Sequence, residues 1–282
     1  MTGKTGILYV VATPIGNLAD MTPRAIDTLK SVAVIAAEDT RHSLRLTQHF
    51  GIATPLVALH DHNEKDRSRV LVQRLAGGES VALISDAGTP LISDPGYALV
   101  HAVREAGIAV VPVPGACAFV AALSAAGLPT DRFVFEGFLP AKTQGRRTRL
   151  TELKSETRTL VFYEAPHRLL ECLEDMVAVV GSERRAVLAR ELTKTFETIH
   201  SAPVGELAEW VRGDSNQQRG ECVVLLAGEA RVADALPPEA IAVLETLLEE
   251  LPVSQASKLA ARITGVKKGL LYDYALAKEK NG

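Results

Sequence analysis

The stretch "VALISDAGTPLISDPGYALV", residues 81–100, decides how the chain is read. An apolar run stops on Ser85-Asp86 and breaks at Gly88-Thr89-Pro90. It then meets a near copy of its own ending, Ser93-Asp94-Pro95-Gly96. Ligands of open α/β sheets bind beyond the carboxyl ends of the strands. A buried strand that ends on a carboxylate and a glycine therefore offers a binding loop, although Asp-Ala-Gly-Thr-Pro is also good turn chemistry. The first half reads as that loop. The second half reads as a helix start, with Ser93 or Asp94 as cap and Pro95 in the first turn. On this reading only the first half faces a ligand.

Three neighbouring segments end in the same way: "VVATPIGN", "IAAEDTR" and "VPVPGA". Helical patterns alternate with them. "TPRAIDTLKSV" has Thr22 as cap and Pro23 in the first turn. "DRSRVLVQRLAGG" and "GYALVHAVREAG" each stop on glycine. Strand, helix, strand at this rhythm predicts a mostly parallel α/β sheet. After the small-residue helix "CAFVAALSAAGLP" the pattern changes. "RFVFEGFLP", "RTLVFYEAP", "RRAVLARELT", "FETIHSAPV" and "GECVVLLAG" read as strands of a mixed sheet, with "PHRLLECLEDMVAVVG" as the clearest helix. The last part is helical. Ile241, Leu244, Leu248 and Leu251 share one face, and Ala256, Leu259, Ala260 and Ile263 share another, with Ser254 as a plausible cap. Gly265 makes a turn into a third helix, the helix-turn-helix pattern. The expected domains are residues 1–120, 121–232 and 237–282.

The 282 residues are 47% hydrophobic and 23% charged, an ordinary composition for a chain with sizeable cores. A net charge of −3 confines any nucleic-acid site to a local patch. From Ser254 onward there are six Lys/Arg against two acids, Lys258, Arg262, Lys267 and Lys268 among them. That tail suits RNA contact or a plain solvated helical face. Cys117, Cys172 and Cys222 lie far apart without metal or redox spacing, which predicts a reducing cytosol. Neither a signal-peptide layout nor a membrane-length apolar run is present, so a cytoplasmic location is expected.

The chemistry-bearing groups fall in four places. Acidic strand ends fit a zwitterionic or cationic ligand better than a triphosphate, and no phosphate-loop or GxGxxG fingerprint occurs. "EDTRHS" and "HDHNEKDR" gather His42, His60, His62, Asp39, Asp61 and Glu64, but nothing fixes a metal geometry and no metal is expected. "FYEAPHR" and "ARELTKTFET" offer Glu164, His167, Arg190, Glu191 and Lys194 for acid–base or phosphate work. "PAKTQGRRTRL" reads as a basic loop whose Lys142, Arg146, Arg147 and Arg149 suit a phosphate backbone, or a mobile solvated loop.

The segments "LYVVATPIGNLADMTPRA", "AAEDTRHS", "SDAGTPLISDPG", "VPVPGACAFVAALSAAGLP", "FEGFLP", "FYEAPHR" and "ARELTK" resemble the S-adenosylmethionine-dependent tetrapyrrole methylase superfamily. Within it they resemble the branch that methylates the ribose 2′-oxygen of a cytidine in bacterial 16S ribosomal RNA. Tetrapyrrole-modifying members typically carry Asp-Pro at the central motif; here Ala87 follows Asp86, which favours the RNA branch. The resemblance implies two α/β domains with S-adenosylmethionine between them, a small helical RNA-binding module and a homodimer acting on the small ribosomal subunit. It implies cofactor contacts from Asp86, Gly88, Thr89, Pro114, Gly115, Ala116, Cys117, Tyr163, Glu164, Ala165, Leu226 and Ala227, with Pro14 in the first-strand loop. Lys194 and Glu191 rank first for proton removal. Arg41, Arg168, Arg190 and the Arg146–Arg149 stretch would hold phosphates. A tetrapyrrole C-methyltransferase and a ligand-sensing nucleic-acid regulator are the competing readings.

Overall fold

The computed structural model describes residues 5–60, 63–230 and 236–281. They form two compact units, one ending at Glu229 and one beginning at Ala230. The first unit holds two five-stranded sheets.

The first sheet contains β1 (Ile7–Val11), β2 (Val34–Ala37), β3 (Leu56–Ala58), β4 (Val81–Ile84) and β5 (Ala109–Val113), in the order β3-β2-β4-β1-β5. Every pairing is parallel, with Leu8 opposite Val81 and Val11 opposite Val113. Parallel strands put all their carboxyl ends on one edge, so the four expected endings do gather there. Both faces are covered, as parallel sheets require. On one face α3 (Glu64–Ala76) and α4 (Tyr97–Glu105) bury Leu71, Leu75, Leu99 and Val103 against Leu8, Val81 and Leu83. On the other, α1 (Pro23–Ser31) buries Ala25 and Leu29 against Val11, Ile35 and Ile84. The Thr22 side chain accepts from Ala25 N–H, as the sequence predicts. The helix α2 (Thr40–His49) and strand β3 were not anticipated; α2 is largely polar and β3 is three residues long.

The helix α5 (Ala118–Ala125) leads to the second sheet. Its strands are β6 (Phe133–Phe138), β7 (Thr159–Glu164), β8 (Arg185–Arg190), β9 (Thr198–Pro203) and β10 (Cys222–Leu226), in the order β6-β7-β10-β8-β9. The β6/β7 pair is parallel and the others antiparallel, the expected mixed sheet. Period-two alternation is strict in β10. Cys222, Val224 and Leu226 face a core shared with α6 (Thr143–Glu152), α7 (Leu169–Val180) and α8 (Val204–Gly213). Val223 and Leu225 face α5 and Ile15. The expected boundary at residue 120 thus lies inside a helix that packs on the second sheet.

The "PAKTQGRRTRL" stretch is mostly helix α6 rather than an open loop. Arg146 is fully buried and its Nε donates to Asp175 at 2.6 Å, so no phosphate reaches it. Arg147 pairs with the other oxygen of Asp175, also at 2.6 Å. Arg149 pairs with Glu136 and Glu152.

The second unit is a three-helix cluster of α9 (Pro238–Leu248), α10 (Val253–Thr264) and α11 (Lys268–Asn281) around Ala240, Leu244, Ala256, Ala260 and Leu271. Gly265, at φ 75°, ends α10 as expected. Ser254 lies inside the first turn of α10, after Pro252, and caps nothing. Lys258, Arg262, Lys267 and Lys268 are exposed.

Candidate functional site

Two cavities open beside the strand ends of the first sheet, where the second sheet meets them. The first, of about 350 Å³, is bounded by Gly88, Thr89, Ile92, Ser93 and Asp94 from the first sheet's loops and by Cys117 and Ala118 at the start of α5. The second sheet adds Phe138, Tyr163, Glu164, Ala165, Glu221, Cys222 and Val223. The loop from Ser85 to Gly96 shapes this cavity. Gly88, at φ 83°, exchanges backbone hydrogen bonds with Thr13, which ties the loop to the end of β1. A Cβ there would sit in left-handed backbone and 3.2 Å from Ile15 Cγ2. Thr89 Oγ1 donates to the carbonyl of Ala116, fastening the loop to the segment that starts α5.

The second half of the near-repeat behaves differently from expectation. Neither Ser93 nor Asp94 caps α4; its N-cap is Gly96. The cap is supplied from a distance by Glu64, whose Oε1 accepts from the N–H groups of Gly96 and Ala98 at 3.0 and 2.8 Å. Released from capping, Ser93 and Asp94 line the cavity. Leu91 and Ser93 hold φ values of 71° and 67°, sparsely populated for residues with a side chain. Burial pushes the Asp94 carboxyl up to about 7, helped by the neighbouring charges of Glu38 and Asp86 and opposed by a hydrogen bond from Ser85.

On the opposite wall Glu164 is buried. Its Oε1 accepts from Ala165 N–H and pairs with Arg168, both at 2.8 Å. The same carboxylate meets the buried Cys172 thiol of α7, whose pKa is raised well above its ordinary value by burial first and by Glu164 next. The Tyr163 hydroxyl accepts from Phe119 N–H, and burial raises its pKa well above the usual phenol range.

The second cavity, of about 300 Å³, shares Ile15, Ala87 and Glu221 with the first. Thr13, Pro14, Gly16 and Leu18 form one side, His42, Ser43, Arg45 and Leu46 of α2 another, and Asp86 and Lys194 complete it. Asp86 Oδ1 accepts from Asp39 N–H at 3.1 Å. Asp39 in turn caps α2 through Arg41 N–H. Asp86 therefore fixes α2 over the strand ends and does not line the first cavity. Arg41 is spent on the Asp39 carboxylate at 2.9 Å.

Lys194 enters this cavity on a contorted segment, with Glu191 and Thr193 at φ 52° and 66°. Its Nζ donates to Glu191 at 2.8 Å and to Glu221 at 2.9 Å. Burial works against its charge, but the two carboxylates outweigh it and raise the lysine pKa. For Glu191, burial is likewise outweighed by Lys194 and by the Glu221 N–H, and its pKa is lowered. The pair ranked first from sequence for proton removal is thus an ion pair in the free protein. Lys194 is a fixed cation and Glu191 its anchor. Gly16 makes room for it, since a Cβ there would come within 2.6 Å of Lys194 Cε.

The sequence candidates thus divide. Gly88, Thr89, Cys117, Tyr163, Glu164 and Ala165 line the first cavity; Pro14, Asp86 and Lys194 line the second. Pro114, Gly115 and Ala116 line neither, and Ala116 acts through its bond from Thr89. Leu226 and Ala227 are at the wrong end of β10. The strand runs antiparallel to β7, so Cys222 meets Glu164 at the cavity while Leu226 meets Leu160 at the far end. Ala227 is used there to hold Arg184 Nε at 2.7 Å. Arg190 is 6% exposed and donates to Gln217, Thr198 and the carbonyls of Phe196 and Arg219, so it pins loops instead of holding phosphate. Of the polar group around "HDHNEKDR", Glu64 is spent on α4, and Asp61 and His62 lie outside the described residues. Among the described residues no three His, Cys, Asp or Glu gather as a metal site. Sequence reasoning missed Asp94, Ser93, Phe138, Glu221 and Ser43. The repeated Ser-Asp was the one available signal for the first two.

Residues 7–208 match the family described as Tetrapyrrole (Corrin/Porphyrin) Methylases, and residues 234–279 match the RsmI C-terminal HTH domain. The chain is 64% identical over 278 residues to the Ribosomal RNA small subunit methyltransferase I of Pseudomonas aeruginosa, covering 98% of this chain and 99% of that protein. It is 58% identical to the protein of the same name from Escherichia coli O157:H7, covering 97% and 96%. The fold is similar to that of the uroporphyrin-III C-methyltransferase of Thermus thermophilus, solved in complex with S-adenyl homocysteine. That likeness has a TM-score of 0.54 at 20% identity and covers 79% of this chain and 97% of the other.

Proposed function

This chain belongs to the Tetrapyrrole (Corrin/Porphyrin) Methylases, a methyltransferase family, and we propose that it transfers a methyl group from S-adenosylmethionine to the ribose 2′-oxygen of a cytidine in small-subunit ribosomal RNA. The observation that carries the reading is the pair of adjoining cavities, one acidic and aromatic, the other bordered by a fixed lysine. When bound, S-adenosylmethionine supplies a sulfonium-activated methyl carbon, whose transfer to the hydroxyl oxygen leaves a thioether and releases the hydroxyl proton.

The first cavity fits that group. Its volume is in the range of small-ligand sites. Asp94 suits a cationic, amino-bearing molecule, and Tyr163 and Phe138 offer aromatic surface to its flat part. The Gly88 loop lets backbone approach closely. Lys194 donates a hydrogen bond to the acceptor and stabilises negative charge growing on its oxygen; Glu191 and Glu221 hold its Nζ in place. Alignment supplies much of the remaining acceleration, because a hydroxyl is a weak nucleophile. The exposed Lys258, Arg262, Lys267 and Lys268 of the helical unit bind the RNA backbone by charge. The same reading takes the chain as a cytosolic homodimer.

The test supplies radiolabelled S-adenosylmethionine with undermethylated 30S subunits, naked 16S RNA and a porphyrinoid acid. Label recovered as 2′-O-methylcytidine after nuclease digestion is the expected result. Label in the porphyrinoid, with none in either RNA, replaces this reading with the C-methyltransferase one.

A further inference from the structure

We infer that the second cavity is the acceptor subsite, that it takes one ribonucleotide by its sugar and phosphate, and that Ser43 and Arg45 of α2 are the residues that recognise it; this rests on the methyl-transfer reading above. Ser43 is 2% exposed and its Oγ has no hydrogen-bond partner among the described residues, yet the residue borders the cavity. Buried polar groups are nearly always paired. A hydroxyl on a helix has an easy local solution in a carbonyl three or four residues back. Thr47, one turn further along the same helix, takes it by donating to Leu44. Ser43 does not, and its hydroxyl is left for something that enters the cavity.

Arg45 supplies the charge. Arg41, Arg146, Arg147, Arg149 and Arg168 are each paired with a carboxylate, and Arg190 is consumed by loops. Arg45 is exposed and has no carboxylate partner among the described residues. The acids nearby are already engaged, Asp86 with Asp39 N–H and Glu221 with Lys194. Arg45 and Lys194 face Asp86 and Glu221 in this lining, and of the two cations only Arg45 is without a carboxylate partner among the described residues, so the contact with a phosphodiester falls to it. Leu18 and Leu46 give apolar walls for a base. The wall shared with the first cavity, formed by Ile15, Ala87 and Glu221, puts a sugar held here beside the cofactor site.

The test compares wild type with Ser43→Ala and Arg45→Ala in the full-length protein. Methyl transfer to undermethylated 30S subunits, cofactor affinity by calorimetry, thermal midpoint and binding of cytidine 3′-monophosphate are measured on each. Arg45→Ala should raise KM for the RNA by about tenfold with little change in kcat. Ser43→Ala should lower transfer by about tenfold while the thermal midpoint stays or rises, because it removes a buried hydroxyl with no partner. Cofactor affinity should stay within about twofold in both. A residue that merely supported the fold would give the opposite, a lower midpoint with unchanged transfer. Wild-type transfer by both variants overturns the subsite, and so does a loss of cofactor affinity that matches the loss of rate. If wild type transfers no methyl to RNA, the methyl-transfer reading fails by itself. The nucleotide then decides the subsite: binding to wild type that both variants lose upholds it, and equal or absent binding rejects it.

Discussion

Helices α2 and α6 are both rich in arginine, and they use it in opposite ways. In α6, Arg146 is sealed in the core with Asp175, and Arg147 and Arg149 are paired along the rim. In α2, Arg41 is paired at the cap while Arg45 one turn later borders a cavity with no carboxylate partner among the described residues. The basic stretch that looked more like a nucleic-acid contact holds the second sheet's helices together. The less basic one lies at the site. Charge in a sequence gives the sign of a side chain and not its partner, and here the acids that decide the matter, Asp175 and Asp39, are 29 residues from Arg146 and two from Arg41.

The largest effect expected from this contrast is on stability. Replacing Arg146 by Met leaves the buried Asp175 with Arg147 alone. Breaking one member of a buried ion pair costs about 3–5 kcal/mol. Denaturant unfolding of Arg146→Met should show a loss of that order, against less than about 0.5 kcal/mol for Arg45→Ala on the surface. Similar losses for both would erase the distinction between the two helices.

Much of the fold was legible for a physical reason. Strands buried on both faces read as continuous apolar runs, and β4, β7, β8 and β10 do so. The parallel sheet followed from its alternation with helices. What escaped was set by partners distant in sequence. The direction of β10 is not written in "GECVVLLAG"; pairing with β7 decides it, and so decides that Glu221 instead of Leu226 borders the cavity. The second Ser-Asp pair reads as the helix cap from sequence, but Glu64, some thirty residues earlier, takes over the capping of α4. Asp86 then holds α2 in place, and Asp94 lines the first cavity.

The next effect concerns the fixed lysine. Lys194→Met removes the cation and leaves Glu191 and Glu221 facing each other without it. Transfer should fall on the order of 100-fold, as for loss of one preorganised donor. Cofactor affinity should hold, since Lys194 borders the second cavity and not the first. A pH–rate profile separates donor from base. A lysine whose pKa is raised stays charged across the neutral range, so the wild-type profile should show no rise that Lys194→Met abolishes. A lysine-dependent rise toward alkaline pH would make it the base after all.

The smallest effect is a pH dependence carried by Asp94. Its carboxyl faces Glu38, Asp86, Ser85 and Tyr163, and its pKa of about 7 is raised, chiefly by burial. In the free protein a raised carboxyl favours the protonated folded state. The stability it gives is full below pH about 4, the ordinary aspartate value, and is lost as pH rises through about 7. A cationic ligand acts in the other direction by favouring the carboxylate. Affinity for S-adenosylmethionine should therefore climb as pH rises toward about 7 and level off above it. Asp94→Asn should flatten both curves, gaining stability relative to wild type at high pH while losing about tenfold in affinity there. S-adenosylhomocysteine lacks the sulfonium charge, so its affinity should respond less to both pH and substitution. Equal responses from the two would show that Asp94 reads the amino group they share, and no response from either would return the second Ser-Asp pair to a purely structural role.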